Sequence, residues 1–264
     1  ARGSYFLVLA DSQGHGGSAY AYRLRLAYPQ PGFEAMVSPS TMLTPAGEHA
    51  PLRFHLARRD GFDGPVAISL VDAPSGYQLH GATIPAGQDG VRATLESPVK
   101  KPAGPVELKF VARSVGGDHE VVRDVQPADN RMQAFLWRHL VPAETLMVSV
   151  NRPGRIPVAV TGFEGERIRI PAGGTAEVTL KGGKKPGSLN RARFELDGPP
   201  DGLTLKDMKL ANRGTEAHIT FHADAETLKP GDSGNLILAG LAKGARKRRV
   251  LAMSPAIPFE IVAP

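Results

Sequence analysis

The chain repeats one β-rich pattern at a spacing of 126 residues, and this repeat constrains its fold more than any other feature. At that spacing Gly76 aligns with Gly202, and Pro74 aligns with Pro200. The same spacing aligns apolar positions of the two segments, which are Leu70 with Leu196, Leu79 with Leu205, Ile84 with Leu210, Ala93 with Ile219 and Leu95 with Phe221. One offset that preserves glycine, proline and apolar positions predicts two copies of a single β domain.

Alternation within each copy predicts the type of β domain. In the first copy, apolar and polar residues alternate along four short segments, with the apolar positions at Leu52, Phe54, Leu56, Val66, Ile68, Leu70, Val91, Ala93, Leu95, Val106, Leu108 and Phe110. Strict period-two alternation between glycine- and proline-rich turns is typical of half-buried antiparallel strands in a sandwich. No long amphipathic helix pattern occurs, which argues against doubly wound α/β folds and helical bundles. The predicted fold class is therefore all-β, with tandem Ig-like sandwiches.

The repeat also sets the predicted domain boundaries. Residues 31–128 form the first Ig-like sandwich, and residues 143–264 form the second, which begins near Leu146. Residues 129–142 are predicted to connect them, either as a short helix or as an irregular strand, with Phe135 and Trp137 packed between the domains. At 264 residues the chain is long enough for two such domains.

The first 30 residues have a different pattern. Residues 4–9 and 19–26 are apolar, aromatic-rich segments that predict two strands, joined by a glycine-rich turn. A chain that opens inside a strand is expected to be the tail of a longer polypeptide. Such strands would leave unpaired edges, so we expect them to pack on the first repeat or to mediate self-association.

Composition excludes several kinds of site. The chain has no cysteine, so it has no disulfide, thiolate metal site or cysteine nucleophile. No apolar run reaches the ~18–20 residues that a membrane helix needs. The net charge of +6 lies entirely in residues 129–264, and residues 243–249 supply five of those positive charges. The basic character is therefore local and does not extend over a domain.

Histidines and carboxylates occur in three groups that could suggest metal sites or catalysis. His218 and His222 share a strand face but lie about 13 Å apart, which is too far for one zinc ion. Adjacent strand residues point to opposite faces, so Asp118, His119 and Glu120 do not easily converge on one ion either. The third group, made of Asp11, Ser12 and His15, falls within one turn, without the oriented base and oxyanion hole of a catalytic triad. These patterns assign no catalytic, cofactor-binding or metal residue, and no cofactor.

Two basic segments were considered as anion sites. Residues 181–187 are rich in glycine and lysine but lack the spacing of a phosphate-binding loop, and no helix follows them. Residues 243–249 lie between two predicted strands and are interpreted as a solvated hairpin tip. Contact with an acidic polymer, such as an anionic polysaccharide or membrane headgroups, is the alternative. Without interleaved aromatic residues or a known motif, this cluster does not predict nucleic-acid binding.

Short motifs resemble a known domain arrangement. Residues 5–11 and 16–26, with a glycine-rich turn followed by Tyr22, Arg23 and Leu24, resemble the end of a bacterial pre-peptidase C-terminal (PPC) domain. Residues 59–66 and 139–144 resemble the Ig-like domains that follow PPC domains in large secreted bacterial proteins. The resemblance implies that residues 1–30 are the C-terminal strands of a PPC-like sandwich. It also implies a noncatalytic appendage of a secreted, cell-surface or periplasmic protein.

The predicted function is a noncatalytic structural or adhesive spacer, whose partners are other domains of the parent polypeptide. One alternative is a carbohydrate-binding module for an anionic polysaccharide, with Tyr77 and Trp137 as the aromatic candidates. A second alternative is part of a secreted hydrolase whose catalytic domain is not in this chain. An enzyme within this chain would need a histidine site to converge with a carboxylate from another strand.

Overall fold

The computed structural model describes residues 3–24, 26–117, 120–162, 167–244 and 249–264. Its strands are β1 (Gly32–Ser38), β2 (Thr41–Ala46), β3 (His49–Arg59), β4 (Val66–Val71), β5 (Gln78–His80), β6 (Thr83–Ile84), β7 (Gly90–Glu96), β8 (Val106–Ser114), β9 (Val122–Met132), β10 (Arg138–Pro142), β11 (Leu146–Pro153), β12 (Ala159–Thr161), β13 (Ile168–Pro171), β14 (Thr175–Lys181), β15 (Ala192–Leu196), β16 (Leu203–Ala211), β17 (Glu216–Ala223), β18 (Ser233–Leu236), β19 (Leu238–Ala242), β20 (Val250–Met253) and β21 (Ile257–Val262). Within the described ranges, helical structure is limited to short 3-10 segments at Ala134–Leu136, Leu189–Arg191 and Asn212–Gly214. Among the described residues, no helix has the length and apolar character needed to cross a membrane. The all-β prediction is confirmed.

The first sandwich consists of two sets of strands, which the antiparallel pairing of β8 with β9 joins at one edge. One set runs β5-β7-β3-β1-β9, and the other contains β6, β4, β8, β11 and β2. Most neighbours are antiparallel, but β1 pairs with β9 in parallel and β2 pairs with β11 in parallel. The first strand of the domain is thus divided between the two sets, as in Ig-like sandwiches.

The second sandwich repeats most of these pairings, although in its described residues no pair of β12 with β20 matches that of β1 with β9. By position, β12 corresponds to β1, β14 to β3, β17 to β7, and β16 to β5 and β6 together. In addition, β13 pairs in parallel with β21, as β2 does with β11. The register is also the same, because His49 opposite Glu96 in the first copy becomes Thr175 opposite His222 in the second. Both offsets equal the 126 residues found in the sequence, so the predicted duplication is confirmed.

Each sandwich has its own core of residues from alternating strand positions. The first core is centred on Phe33, Phe54, Leu95, Leu108 and Leu146. The second is centred on Ile170, Leu180, Leu189, Ile219 and Phe221. Separate cores explain why the two copies can share a fold while differing in sequence.

The boundary predicted between the sandwiches is wrong. Strand β11 pairs with β8 and β2 of the first sandwich, and Leu146, Val148 and Val150 are buried in the first core. The chain enters the second core only at Ile156. The alternation of β11 was correctly interpreted as a strand, but alternation does not indicate which of two similar sandwiches a strand completes.

Residues 129–142 are not a linker but most of a hairpin inserted into the first copy. Met42 lies opposite Val148 in the first sandwich, and Ile168 lies opposite Phe259 in the second. Met42 and Ile168 are 126 residues apart, but Val148 and Phe259 are only 111 apart. The first copy therefore holds 15 extra residues before Val148. They form the antiparallel β9–β10 hairpin, which replaces the short connection between β20 and β21.

Residues 1–30 form a separate unit. Its described residues contain no strand, which corrects the prediction of strands at 4–9 and 19–26. A strand needs a hydrogen-bonded neighbour, and an isolated two-stranded hairpin is marginal in water. The order that this unit shows is in turns, where Gly14 N–H donates to the Asp11 carbonyl and Tyr20 N–H donates to the Gly17 carbonyl, each at 3.0 Å.

Candidate functional site

The two sandwiches meet at a joint where the chain crosses from one to the other. Gly154 N–H donates to the Ala46 carbonyl at 3.0 Å, and Arg155 N–H donates to the buried Glu48 carboxylate. Burial raises the pKa of Glu48, while the hydrogen bond from Arg155 acts in the opposite direction. One carboxylate of the first sandwich therefore holds the crossing segment in place.

Polar side chains bridge the joint on its other strands. The Asn235 amide on β18 donates to the carbonyls of Gly81 at 2.6 Å and Arg92 at 2.7 Å. Arg92 in turn forms an ion pair with Asp197 and donates to the Gly198 carbonyl at 3.1 Å. Because backbone acceptors are fixed in position, these bonds restrain the orientation of one sandwich relative to the other.

The joint also contains buried groups. The Ala256 N–H donates to Thr94 Oγ1 at 2.8 Å, which is a fully buried contact between the sandwiches. Beside it lies a small apolar cluster of the second sandwich, formed by Ile237, Ala239, Leu241, Met253 and Ala256. The joint thus combines hydrogen bonds with apolar burial, and residues 31–264 form one compact unit.

The tip of the inserted hairpin exposes three consecutive apolar side chains. Phe135 is 93% exposed, Leu136 80% and Trp137 74%. The loop is closed by Gln133 N–H, which donates to the Trp137 carbonyl at 2.7 Å. Phe135 and Leu136 adopt φ values of +62° and +65°, a left-handed conformation that costs a bulky residue roughly 1–2 kcal/mol. The predicted packing of Phe135 and Trp137 between the domains is wrong, because both side chains face solvent.

The charges around this tip are mixed. Arg131 is held 2.8 Å from Asp129, whose carboxylate also accepts from the Ser40 N–H and hydroxyl. These hydrogen bonds from Ser40 lower the pKa of Asp129. Arg138 is exposed, and its polar contact within the described residues is a 3.5 Å one with Asn130. The tip therefore presents an aromatic surface beside at least one cation that is available to a ligand.

A histidine–carboxylate cluster lies beside the joint, and the sequence analysis did not identify it. His49 on β3, His80 on β5 and Glu96 on β7 bring two imidazoles and one carboxylate together, with one candidate ligand atom from each residue within 4.8 Å of the others. Glu96 Oε2 lies 3.0 Å from His80 Nε2 and 3.6 Å from His49 Nε2. The register of β3, β5 and β7 creates this proximity, which spacing along the sequence could not indicate.

Burial sets the protonation state of His49 at neutral pH. The side chain of His49 is only 7% exposed, and burial lowers its pKa to about 4. The Glu96 carboxylate acts in the opposite direction, and the neighbouring His80 adds to the lowering. His49 is therefore a neutral imidazole at pH 7, with a lone pair on one ring nitrogen.

The described residues of the histidine groups considered from the sequence have separate neighbours. His218 Nδ1 lies 3.3 Å from Glu177 and 3.5 Å from the Thr179 hydroxyl, while His222 lies opposite Thr175. Asp118 and His119 lie outside the described residues, and Glu120 pairs with Arg113 at 3.1 Å.

The remaining sequence candidates have simple positions. The Asp11 carboxylate accepts hydrogen bonds from its own turn, including one from His15 N–H at 3.1 Å, which is a local turn arrangement. Residues 182–187 form a loop between β14 and the 3-10 segment Leu189–Arg191. Strands β19 and β20 form the predicted antiparallel pair, but residues 245–248 of the basic tip lie outside the described residues.

The aromatic candidates for carbohydrate binding differ from each other. Tyr77 is 6% exposed and belongs to the first core, so its proposed role at a sugar-binding surface is wrong. Burial raises the pKa of its hydroxyl, which has no hydrogen-bond partner among the described residues. Trp137 remains accessible at the hairpin tip.

Comparisons with known proteins give no family. No family model matches the chain, and no curated protein matches it in sequence. Among solved structures, the chain is similar to the D00-D0 domain of intimin, with 12% identity, 86% of this chain and 98% of that chain covered, and a TM-score of 0.26. It is also similar to domains 4 and 5 of the S-layer protein SbsC, with 11% identity, 88% and 98% covered, and a TM-score of 0.25. The fold assignment rests on the strand pairing described above.

Proposed function

We propose that residues 31–264 are a noncatalytic structural segment of a secreted or cell-surface bacterial protein, in which two Ig-like sandwiches act as one rigid spacer. The observation that carries the proposal is the joint. Asn235 and Arg92 connect the sandwiches through hydrogen bonds to backbone carbonyls and an ion pair, and Glu48 holds the crossing segment. A spacer that sets a distance needs such a joint, because a flexible one would let its ends approach each other.

The setting of this spacer follows from the resemblance of its short motifs. Residues 1–30 are proposed to be the end of a PPC-like domain, and the partners are proposed to be other domains of the same polypeptide. The basic tip at residues 243–249 remains a prediction of a solvated loop.

Residual dipolar couplings of the full chain test the rigidity of the joint. Backbone couplings from residues 32–153 and from residues 156–262 are fitted separately. A rigid spacer gives one alignment tensor of the same magnitude and orientation for both sets. Two tensors of different magnitude would refute the spacer proposal, because the sandwiches would then move independently.

A second candidate function is the binding of an anionic polysaccharide at the hairpin tip. Phe135 and Trp137 offer exposed aromatic surface of the kind that stacks on sugar rings, and Arg138 supplies a cation for an acidic sugar. The strained left-handed backbone at Phe135 supports a functional tip, because such strain concentrates at binding sites.

Intrinsic fluorescence tests this second candidate directly, because Trp137 is the single tryptophan of the chain. Titration with alginate should shift and saturate the emission, dextran should not, and added salt should weaken the effect. Phe135→Ser and Arg138→Gln should weaken binding, whereas Val99→Ser, at an exposed position elsewhere, should not. A response to anionic lipid vesicles alone would replace the polysaccharide with a membrane surface, and no response to either would remove the candidate.

A further inference from the structure

We propose that His49, His80 and Glu96 form a binding site for a transition-metal ion, with zinc as the expected occupant. The ligands are Nε2 of both histidines and Oε2 of Glu96. All three ligands lie in the first sandwich, and the proposal is independent of the spacer function. It rests on the geometry of the cluster, on the burial of His49 and on a comparison between the two copies.

The three donor atoms are already close to the arrangement that zinc requires. With Zn–N and Zn–O bonds of about 2.0–2.2 Å, ligand atoms of a tetrahedral site lie roughly 3.3–3.5 Å apart. Glu96 Oε2 is 3.0 Å from one imidazole nitrogen and 3.6 Å from the other. All three donors lie within 4.8 Å of one another, so only a small movement of the side chains would complete the site.

The chemical nature of the donors favours zinc over calcium or magnesium. Two imidazoles and one carboxylate are a set that transition metals prefer, whereas calcium and magnesium prefer oxygen ligands. His80 and Glu96 are each about one-third exposed, so water can reach the cluster and take the fourth position. This is the composition of an open three-ligand site.

An ordinary hydrogen-bonded pair does not account for the whole cluster. His80 and Glu96 would satisfy each other without His49. His49 is nevertheless buried beside them, its ring 5.2 Å from that of His80, and its Nδ1 has no hydrogen-bond partner in the part of the chain that the structure describes. A metal on Nε2 would place the proton on Nδ1, where the nearby backbone of Met253 can accept it.

The second copy of the domain provides an internal comparison. At the equivalent register the pair of His49 and Glu96 is replaced by Thr175 and His222, and Lys206 stands 126 residues after His80. If the fold required only polar residues at these positions, the set found in the second copy would meet that requirement. The three ligands occur together only in the first copy, so the sandwich itself does not require them.

Metal binding by the full chain tests the site. After treatment with a chelator and its removal, the protein is titrated with zinc by calorimetry, and the affinity is measured by competition with a chromophoric chelator. We expect one saturable site, an unfolding temperature that rises with occupancy, and no comparable response to calcium. Cobalt in place of zinc should give the visible absorption of a four-coordinate N/O site.

Variants locate the ion. His80→Gln, at a partly exposed position, and Glu96→Gln should each weaken zinc binding by about 100-fold or more, because even loss of a residue that supports a ligand costs 10–100-fold. His49→Gln should have the same effect if its far-ultraviolet circular dichroism shows a folded protein. His218→Gln, which removes a histidine beside a carboxylate in the second sandwich, is the matched control and should bind as the parent does.

Several results would overturn the proposal. They are the absence of saturable zinc binding, binding that all three ligand variants retain, and loss of binding only in His218→Gln. Binding of calcium as tight as that of zinc would also contradict the assigned donor set. These results do not depend on the rigidity of the joint, so this proposal and the spacer proposal can fail separately.

Discussion

The Asn235 amide gives the sharpest test of how the joint is stabilised. Asn235→Ala removes two hydrogen bonds between the sandwiches, to the carbonyls of Gly81 and Arg92. Each such bond contributes roughly 0.5–1.5 kcal/mol net. The site is half-buried, so water can partly replace the lost donor, and we expect a loss of about 2 kcal/mol in the free energy of unfolding.

This loss can be measured by scanning calorimetry. For a unit of this size, 1 kcal/mol lowers the unfolding temperature by roughly 2–4 °C, so Asn235→Ala should lower it by roughly 4–8 °C. Asn235→Asp should cost more, because a carboxylate would face two carbonyl oxygens. If the joint is the weakest part of the unit, the variant should also split the calorimetric transition into two.

The control makes the same chemical change elsewhere. Asn130→Ala, at an exposed position on β9, should change the stability by no more than about 0.5 kcal/mol. If Asn235→Ala unfolds at the same temperature as Asn130→Ala, the two hydrogen bonds do not stabilise the joint and the reasoning is refuted.

Three further predictions follow from the same structure. Gly81→Ala should lower the free energy of unfolding, measured with denaturant, more than Gly61→Ala does. Both glycines have positive φ, but only at Gly81 would a Cβ meet Asn235 and Ala256, at 2.5 and 2.7 Å. Equal losses of stability in the two variants would mean that backbone strain from the positive φ accounts for the whole effect. Leu146→Ala should lower the free energy of unfolding by about 2–5 kcal/mol and should speed amide hydrogen exchange in the first sandwich before the second. Faster exchange confined to the second sandwich would show that β11 belongs to that domain. Burial and Arg53 lower the pKa of His55 below its value in the unfolded chain. Its contribution to stability is therefore complete above a pH of about 6.5 and declines as the pH falls. His55→Gln should flatten the pH dependence of the unfolding temperature between about pH 7.5 and 5, and an unchanged slope would contradict this.

The sequence was sufficient for the features that repeat locally. Alternation at Leu52, Phe54 and Leu56 predicted a strand whose alternate residues are buried, and the structure confirms it. The 126-residue offset predicted the duplication because glycine and apolar positions are held by the same turns and cores in both copies. These properties depend on residues that are close together in the sequence, so short segments are enough to predict them.

The features that the sequence did not reveal depend on which segments meet. The alternation of β11 fits either sandwich, and only its pairing with β2 and β8 assigns it to the first. Apolar residues at Phe135 and Trp137 predicted burial, yet they lie at an exposed hairpin tip. His49 and Glu96 are 47 residues apart and face each other through strand register alone. A position-by-position comparison of the two copies was the one signal in the sequence for this cluster, because it shows that the second copy lacks the three residues at the equivalent positions.

The parallel pairing of β2 with β11, and of β13 with β21, has a mechanical consequence. In each sandwich an early strand runs beside the last strand in the same direction. A force that pulls the two ends of a domain apart therefore acts on the paired strands in opposite directions along their length. The hydrogen bonds between them are loaded in shear and must break together, whereas the antiparallel β9–β10 hairpin can open one pair at a time from its base. In the first sandwich, however, the hairpin lies in the chain between β2 and β11, so under tension it should bear no load until the bonds between β2 and β11 have broken.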